Sequence, residues 1–388
     1  MIGQKSGKDC CGCGACVQAC PRQCIQMNTD EEGFWYPQAD KDACISCGRC
    51  EAVCPMQIKS RKDAPEPKAY GGWNRDEAAR EKSSSGGAFP LFAEYILENG
   101  GTVYGAAIDE KMKVAHRRIA SKNELECLQG SKYVESDIGD TYLQAKEDLK
   151  ASRKVLFTGT PCQIAGLKTF LGREYDLLYT VDFTCHGVPS PLVFEKYVAY
   201  LNDTRQDQVT GFLFRNKVAA WKPTGQQMGT IVKFASGKEE QNIPAYRDPF
   251  MNGFLSDLYL RKSCYECPFK PAYQMELHAD ITIADFWGVH HVDQELNNAG
   301  GTSLILLNSS QGEKLFEQVS DGFEGKEIDF AAATRQNRSL YHSAGMPSAK
   351  ERAGFFDSLQ HQSFNRTRKR YMTGLYWAVH KFRGLFWK

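Results

Sequence analysis

Two stretches repeat one cysteine pattern, CCGCGACVQACP at residues 10–21 and CISCGRCEAVCP at residues 44–55. Each holds three cysteines separated by two residues, and a fourth that follows after three more residues and directly precedes a proline. Three thiolates at this spacing let a tight loop enclose one iron–sulfur cubane, while the fourth leaves on a short helix and reaches the other cubane. The pattern therefore predicts two 4Fe-4S clusters and a fold organised around them.

The spacing also predicts which thiolates share a cluster. The ligands of the first cluster are predicted to be Cys10, Cys13, Cys16 and Cys54, and those of the second Cys44, Cys47, Cys50 and Cys20. The doubled pattern is the signature of bacterial two-cluster ferredoxins, whereas a zinc site normally shows separate, well-spaced CxxC pairs. Cys11 and Cys24 lie off the pattern, and we predict that they are packing residues.

Composition bounds the class of protein. With 388 residues the chain can hold two or three domains, and its formal net charge of +1 provides no field for nucleic acid. Its 15 cysteines are arranged as ligands that must stay reduced, which predicts a cytoplasmic protein of an anaerobe. No cleavable signal precedes Cys10, and no apolar run is long enough to span a membrane.

Residues 351–388 are predicted to form a C-terminal helix whose last part is both basic and aromatic. Aromatic residues lie among the basic residues of this last part, which are Arg366, Arg368, Lys369, Arg370, Lys381, Arg383 and Lys388. Two interpretations stay open for this segment. It docks on its own domain or on a partner subunit, or it lies on an anionic bilayer as a peripheral contact at the inner membrane face.

The chain divides into a ferredoxin-like domain at residues 1–58, a linker at 59–69 and a mixed α/β domain at 70–350. Residues 25–39 of the first domain have the pattern of a β-hairpin. In the second domain strands are predicted at residues 102–108, 114–119, 155–158, 178–183, 280–284 and 303–307, and helices at 88–98, 140–151 and 163–171. Two further helices are predicted after the capping motifs Ser121-x-x-Glu124 and Ser310-x-x-Glu313. The fold class is therefore α+β followed by α/β.

The α/β domain has cysteines of its own. Cys162 and Cys185 each follow a predicted strand, at the sheet edge where open α/β sheets build their sites, and Cys264-x2-Cys267 is a CxxC in a loop. These four thiolates can complete a third 4Fe-4S site. The residues alone equally allow a zinc site, a redox disulfide at the CxxC, or buried unligated thiols.

Five short segments resemble a known family. They are SGGAF at residues 85–89, GSKYV at 130–134, GTPCQI at 159–164, CHG at 185–187 and ADITIADFWG at 279–288. In this order they resemble the coenzyme F420 hydrogenase/dehydrogenase beta-subunit family, over about residues 5–290. The resemblance implies an FAD-binding domain with its own 4Fe-4S cluster, and hence Cys162, Cys185, Cys264 and Cys267 as ligands. Cys127 matches no family ligand and is predicted to be structural.

Residues 83–87, SSSGG, have the composition of an anion cradle at the start of a helix, although a flexible loop or a simple N-cap has the same pattern. With the resemblance, the predicted FAD contacts are Ser85, Gly86, Gly87, Ser131, Lys132 and Tyr133, and Thr160 and Gln163 beside Cys162. His186 is a candidate proton donor, or else caps a helix or bonds a carbonyl. Asp285 either orients a ligand or occupies a turn. No G-x-G-x-x-G fingerprint follows a strand, so an NAD-type site is not indicated.

The predicted function is that of an iron–sulfur flavoprotein oxidoreductase. FAD would exchange a hydride with a small organic partner, of which coenzyme F420 is one candidate, and electrons would pass to the clusters and to ferredoxin or another redox protein, or in reverse. One alternative is a non-catalytic electron-transfer subunit of a larger redox complex. Another is a ferredoxin-fed reductase of a sugar-type metabolite.

Overall fold

The computed structural model describes residues 2, 7–61, 63–217, 229–242 and 244–373. The strands in these ranges are β1 Ile25–Thr29, β2 Trp35–Ala39, β3 Lys68–Asn74, β4 Thr102–Ile108, β5 Val114–Ile119, β6 Val155–Thr158, β7 Leu178–Phe183, β8 Val209–Asn216, β9 Gly229–Phe234, β10 Glu239–Asn242, β11 Ile281–Asp285, β12 Ser303–Leu307 and β13 Phe323–Ile328.

The α-helices of the same ranges are α1 Ala15–Gln18, α2 Arg49–Ala52, α3 Glu77–Glu81, α4 Ala88–Glu98, α5 Thr141–Lys150, α6 Pro161–Leu171, α7 Pro191–Arg205, α8 Pro249–Leu255, α9 Val289–Val292, α10 Ser310–Val319, α11 Phe330–Thr334, α12 Arg338–Tyr341, α13 Ala349–His361 and α14 Phe364–Tyr371. Short 3-10 helices lie at Gly7–Asp9, Pro55–Gln57, Lys122–Leu128, Ala245–Arg247, Lys262–Cys264, Ala272–Gln274 and Ser320–Gly322.

A mixed sheet organises the larger part of the chain. Its strand order is β13-β3-β12-β11-β7-β6-β4-β5. The four central strands β11, β7, β6 and β4 are parallel, and the flanking strands are antiparallel to their neighbours. The carboxyl ends of the parallel strands therefore meet at one edge, where an open α/β sheet binds its ligands. The predicted mixed α/β fold is confirmed.

The βαβ unit β6-α6-β7 forms for local reasons. Val155, Leu156 and Phe157 are fully buried, as expected of a strand that is covered on both faces. Helix α6 then begins with a capping box, in which Thr160 and Gln163 each bond the other's backbone N–H group. It ends at Gly172, whose left-handed conformation suits glycine. The sequence predicted this unit correctly.

Helices cover both faces of the large sheet. Leu156 packs with α4 and α10 on one face, and its neighbour Phe157 packs with α5 and α6 on the other. This follows from the strand geometry, because successive side chains point to opposite faces. A second sheet, with the antiparallel order β10-β9-β8, packs with α7, α8, α13 and α14 in a separate aromatic core. This second sheet was not predicted from the sequence.

The N-terminal region is fixed to the α/β domain by polar contacts. The side chain of Gln18 accepts a hydrogen bond from the Leu143 N–H group at 3.0 Å, and the Thr169 hydroxyl donates to the Val53 carbonyl at 2.7 Å. At the turn of the β1–β2 hairpin, Arg352 of α13 forms a bidentate pair with Glu32, at 2.6 and 3.0 Å. The hairpin and the cysteine loops thus pack directly on the larger domain.

Some predicted boundaries differ from the structure. Strand β3 begins at Lys68, inside the predicted linker 59–69, because residues 68–74 pair with both β12 and β13. The segment after Ser121 is a 3-10 helix rather than an α-helix. The described part of the C-terminal segment forms two helices, α13 and α14, since Gln362 has an extended backbone. Residues 374–388 of that predicted helix lie outside the described residues. Among the described helices, none has the length and apolar character needed to cross a membrane.

Candidate functional site

Cys10, Cys13, Cys16 and Cys54, which we call the proximal set, lie together. The thiols of Cys10 and Cys54 are close enough to Cys16 to disfavour its thiolate, and burial together with these charges raises the pKa of Cys16 to about 12. Gly14 has a φ of 72°, a left-handed conformation that turns the loop into α1 just before Cys16. The structure therefore brings Cys54, from the second cysteine run, to the loop of the first.

Cys20, Cys44, Cys47 and Cys50, which we call the distal set, line a cavity of about 190 Å³. Cys20 comes from the first cysteine run, as the spacing predicts. Cys24 also lies in the wall of this cavity, with its sulfur 3.4 Å from that of Cys20. Cys47 is exposed and the neighbouring Ile45 is 60% exposed, so the distal set lies at the surface.

Cys162, Cys185, Cys264 and Cys267, which we call the third set, line one cavity. Cys162 lies in the first turn of α6 and Cys185 follows β7, so the adjacent carboxyl ends of β6 and β7 bring these two together. Burial raises the pKa of Cys185 to about 12 and that of Cys267 to about 11. A group of four thiols favours a soft metal centre over carboxylate-bound cations.

Several polar groups lie in the wall of this cavity or directly beside it. The Thr160 hydroxyl lies 3.1 Å from the Cys162 sulfur, and the Val188 N–H group donates to the Cys264 sulfur at 3.4 Å. The hydroxyl oxygen of Thr184, in the cavity wall, is buried and has no hydrogen-bond partner among the described residues. Donors of this kind stabilise the sulfurs of iron–sulfur clusters. Within the same residues no group of His, Cys, Asp or Glu converges closely enough for a single metal ion.

Cys11 connects the proximal and third sets. Its thiol lies within hydrogen-bonding reach of both Cys13 and Cys162, and it packs beside Cys267. The sequence predicted a packing residue, and Cys11 does pack. The side chain of Cys11 therefore lies between the proximal and third sets.

The predicted flavin loops meet at the carboxyl edge of the sheet. Ser84 accepts hydrogen bonds from the Ser131 N–H group at 2.8 Å and from the Ser131 hydroxyl at 2.9 Å, and Ser85 donates to the Thr302 carbonyl at 2.9 Å. A Cβ atom on Gly86 would lie 2.6 Å from backbone atoms of Gly72 and Ser303, so only glycine fits there. Gly87, with a φ of 82°, is the residue that directly precedes α4.

Other predicted flavin contacts are engaged with the protein itself. The Lys132 amine donates to the carbonyls of Cys127 and Gln129, at 3.0 and 2.8 Å, and burial lowers its pKa to about 7. The Tyr133 ring stacks on Phe254 at 4.6 Å. The Gln163 amide is used by the capping box of α6 and by the Ser136 carbonyl.

Three basic residues that were not predicted from the sequence lie near residues 83–87, which we call the serine loop. We call Arg80, Arg215 and Lys217 the cationic cluster. The Lys217 amine donates to the carbonyls of Arg80 and Ser85. Arg80 donates to the Gly301 carbonyl at 2.7 Å, and Arg215 pairs with Asp285 at 2.8 Å. Burial and the charges of Arg80 and Arg215 lower the pKa of Lys217 to about 7, despite the attraction of Asp285. Positive charge is therefore in excess here.

Two buried or half-buried histidines have defined partners, and one of them lies at the third set. His186 lines its cavity and pairs through Nε2 with Asp257 at 2.5 Å, so it neither caps a helix nor bonds a carbonyl. Its Nδ1 lies 3.4 Å from the Ser339 hydroxyl. His116, missed from the sequence, bonds Ser136 and the Thr158 carbonyl, and burial lowers its pKa to about 4. Its imidazole is therefore neutral at physiological pH.

Two cysteine sets in the N-terminal region, beside a mixed α/β domain with four further cysteines in one cavity, define an iron–sulfur protein of the oxidoreductase type. Residues 152–330 match the family described as the C terminus of the coenzyme F420 hydrogenase/dehydrogenase beta subunit, and residues 9–58 match the 4Fe-4S dicluster domain. Residues 152–330 are therefore similar to this beta-subunit family, and residues 9–58 match a 4Fe-4S dicluster domain. The resemblance seen in the sequence is thereby confirmed.

Among solved structures, the chain is similar to one from the F420-reducing [NiFe] hydrogenase complex of Methanosarcina barkeri, described as a xenon derivative. The two are 15% identical with a TM-score of 0.46, and the match covers 73% of this chain and 93% of that chain. No curated protein sequence matches this chain.

Proposed function

We propose that the chain is an FAD-dependent iron–sulfur oxidoreductase that moves electrons between a flavin and three 4Fe-4S clusters. The observation that carries the proposal is the single cavity lined by Cys162, Cys185, Cys264 and Cys267. This cavity adjoins the proximal set through Cys11 and shares the carboxyl edge of the sheet with the serine loop. The proximal and third sets are thus neighbours, and the serine loop lies at the same edge of the sheet as the third set.

The third set fits a 4Fe-4S cluster by its chemistry. Four thiols supply the ligands, and the unpartnered Thr184 hydroxyl supplies a donor for a sulfur atom. A zinc ion would use the same thiols, and iron analysis separates the two. The amine of Lys270 bonds the Cys185 carbonyl at 2.8 Å and adds a positive charge that favours thiolates.

The cationic cluster fits the pyrophosphate of FAD. Arg80, Arg215 and Lys217 surround a loop whose backbone leads into the N-terminus of α4, and both features favour anions. We propose that Ser85, Gly86 and Ser131 line this site. Bound FAD would supply hydride exchange with an organic partner and one-electron exchange with iron–sulfur clusters.

The role of the chain's own residues follows from their contacts. The cationic cluster holds the anion, and the lack of a side chain at Gly86 lets the loop lie against the sheet. His186, held by Asp257 at the wall of the third cavity, is proposed to hold a proton near the site of hydride exchange. Coenzyme F420 is one candidate for the organic partner.

Iron content tests the third cluster. Anaerobic reconstitution should give about twelve iron atoms per chain, at four for each cubane. The double variant Cys162→Ala/Cys185→Ala should give about eight, and Cys127→Ala, which removes a thiol outside all three sets, should keep about twelve. An unchanged iron content in the double variant would contradict a third cluster.

Reduction assays test the flavin and its partner. The reconstituted protein with FAD is mixed anaerobically with reduced ferredoxin, NAD(P)H or reduced coenzyme F420, and absorbance is followed at flavin wavelengths. Bleaching by reduced F420 supports it as the hydride donor. Bleaching by ferredoxin alone supports a ferredoxin-fed reductase, and failure to retain any FAD contradicts the proposal.

A non-catalytic electron-transfer subunit remains the second candidate. The exposed position of Cys47 and Ile45 favours it, because an apolar side chain beside a surface cluster suits docking of a redox partner. A stable complex on co-purification, with reduction of the isolated chain only through its clusters, would support this alternative. Turnover of an organic substrate by the isolated chain would exclude it.

A further inference from the structure

Arg261 is a fully buried arginine beside the proximal set. Its Nε donates to the Cys10 carbonyl at 2.9 Å, and one terminal nitrogen donates to the Trp35 carbonyl at 2.7 Å and lies 3.7 Å from the Cys10 sulfur. The other terminal nitrogen pairs with Glu135 at 2.7 Å. The guanidinium group is thereby held in one orientation against a predicted cluster ligand.

The surroundings of this arginine keep its charge in place. The Tyr36 ring lies 4.3 Å from the guanidinium carbon and shields one side of it. A Cβ atom on Gly12 would overlap a Glu135 oxygen and would lie 2.7 Å from an Arg261 nitrogen. Glycine at position 12 therefore leaves the space that the ion pair fills, between two cysteines of the first run.

Arg261 also belongs to the loop that carries Cys264 and Cys267 of the third set. Its N–H group donates to the Val188 carbonyl at 2.8 Å, and Cys264 follows three positions later, with its N–H group bonded to the Arg261 carbonyl. Its backbone thus supports the third set, while its side chain contacts the proximal set. A second buried arginine, Arg352, pairs with Glu32 of the N-terminal hairpin at 2.6 Å.

We propose that Arg261 is a positioning residue that raises the reduction potential of the cluster held by the proximal set, and that Glu135 opposes this effect while holding the guanidinium group. Uptake of one electron makes the cluster more negative, without any proton or bond change. A fixed positive charge in a buried site stabilises that state, and a nearby carboxylate destabilises it.

The test is a pair of variants with opposite expected signs. Arg261→Gln should shift the proximal midpoint potential to more negative values, and Glu135→Gln should shift it to more positive values. A tenfold change in the equilibrium constant of reduction corresponds to about 59 mV for one electron, and we expect at least that shift in each case. Burial raises the pKa of Glu135 to about 7, although Arg261 lowers it. The reconstituted full chain is therefore titrated anaerobically at about pH 8.5, where this carboxyl group is ionised, and reduced clusters are followed by electron paramagnetic resonance.

The matched control is Arg352→Gln, which breaks the other arginine–carboxylate link and should leave the proximal potential unchanged. The distal cluster serves as an internal reference in every titration. Shifts of the same sign in both variants, no shift in either, or an equal shift in the control would overturn the proposal. If Arg261→Gln assembles no proximal cluster, Glu135→Gln decides alone, since a positive shift supports the proposal and any other result refutes it. The outcome depends on the dicluster domain and not on the proposed flavin.

Discussion

The strongest test of the proposed flavin site is the pH dependence of FAD binding. Burial and the neighbouring arginines lower the pKa of Lys217 to about 7 in the protein without an anion. A bound pyrophosphate would favour the charged amine and raise that pKa. Binding would then take up a proton above pH 7, so the affinity should be constant below pH 7 and decrease as the pH rises.

The size of the effect follows from linkage. Each pH unit above the pKa of the free amine weakens binding by up to about tenfold, or about 1.4 kcal/mol, until the pKa of the bound form is reached. Between pH 7 and pH 9 the dissociation constant should therefore rise by as much as about 100-fold. Loss of a charge-assisted hydrogen bond costs about 1.5–3 kcal/mol, so Lys217→Gln should weaken binding at pH 6 by roughly 10- to 150-fold.

The assay is equilibrium binding of FAD to the anaerobic protein, by quenching of flavin fluorescence, from pH 6 to pH 9. Lys217→Gln should abolish the pH dependence, and Lys217→Arg should keep the affinity while losing the dependence, because arginine stays charged. The pKa of Lys132 is also lowered to about 7, so Lys132→Gln separates the two amines. Lys233→Gln, which removes an exposed lysine of β9 paired with Glu239, is the control for a lost surface charge.

Two outcomes would contradict this assignment. If Lys217→Gln binds FAD as tightly as the unchanged protein and keeps the same pH dependence, Lys217 does not hold the anion. If Lys132→Gln alone removes the dependence, the proton is taken up at Lys132, and the cationic cluster has another role.

Three further predictions concern stability and cofactor content. Cys11→Ala should retain all iron but change the magnetic coupling between the proximal and third clusters, seen by electron paramagnetic resonance, because its thiol contacts a ligand of each. Gly86→Ala should lower the melting temperature and the FAD content, since its Cβ atom would lie 2.6 Å from two backbone atoms, whereas Gly211→Ala, whose Cβ atom would lie 3.5 Å from its nearest neighbour Lys233, should retain FAD. Burial alone would raise the pKa of Asp148, but hydrogen bonds from Arg118 and Tyr104 lower it to about 2. Asp148→Asn should therefore cost roughly 2 kcal/mol of unfolding free energy at neutral pH, and less as the pH falls from 4 towards 2, by chemical denaturation.

Much of the local structure could be predicted from the sequence because its signals are local. The helix at residues 88–98 and the strands at 102–108, 155–158 and 178–183 have the predicted bounds. Their apolar runs, glycines and capping residues act within a few positions of the chain. The β8–β9–β10 sheet was missed, since its core is provided by α7, α8, α13 and α14, of which the last two are distant in sequence.

The candidate site was less predictable, because its parts come from distant positions. Arg80, Arg215 and Lys217 show no shared motif, and they meet only where the serine loop lies beside the end of β8. Arg261 and Glu135 are likewise far apart in sequence, and their pairing became visible only from their common burial beside Cys10.

The amino-acid sequence alone establishes that the chain carries two iron–sulfur clusters, because the spacing within each cysteine run encodes the loop that encloses a cubane. It also indicates that Cys162 and Cys185 follow strands. The remaining features depend on long-range contacts. Parallel pairing of β6 with β7 brings these two cysteines to one edge, and the loop that carries Arg261 brings Cys264 and Cys267 to the same cavity. The physical reason is that long-range strand pairing, rather than local spacing, determines which thiols share a site.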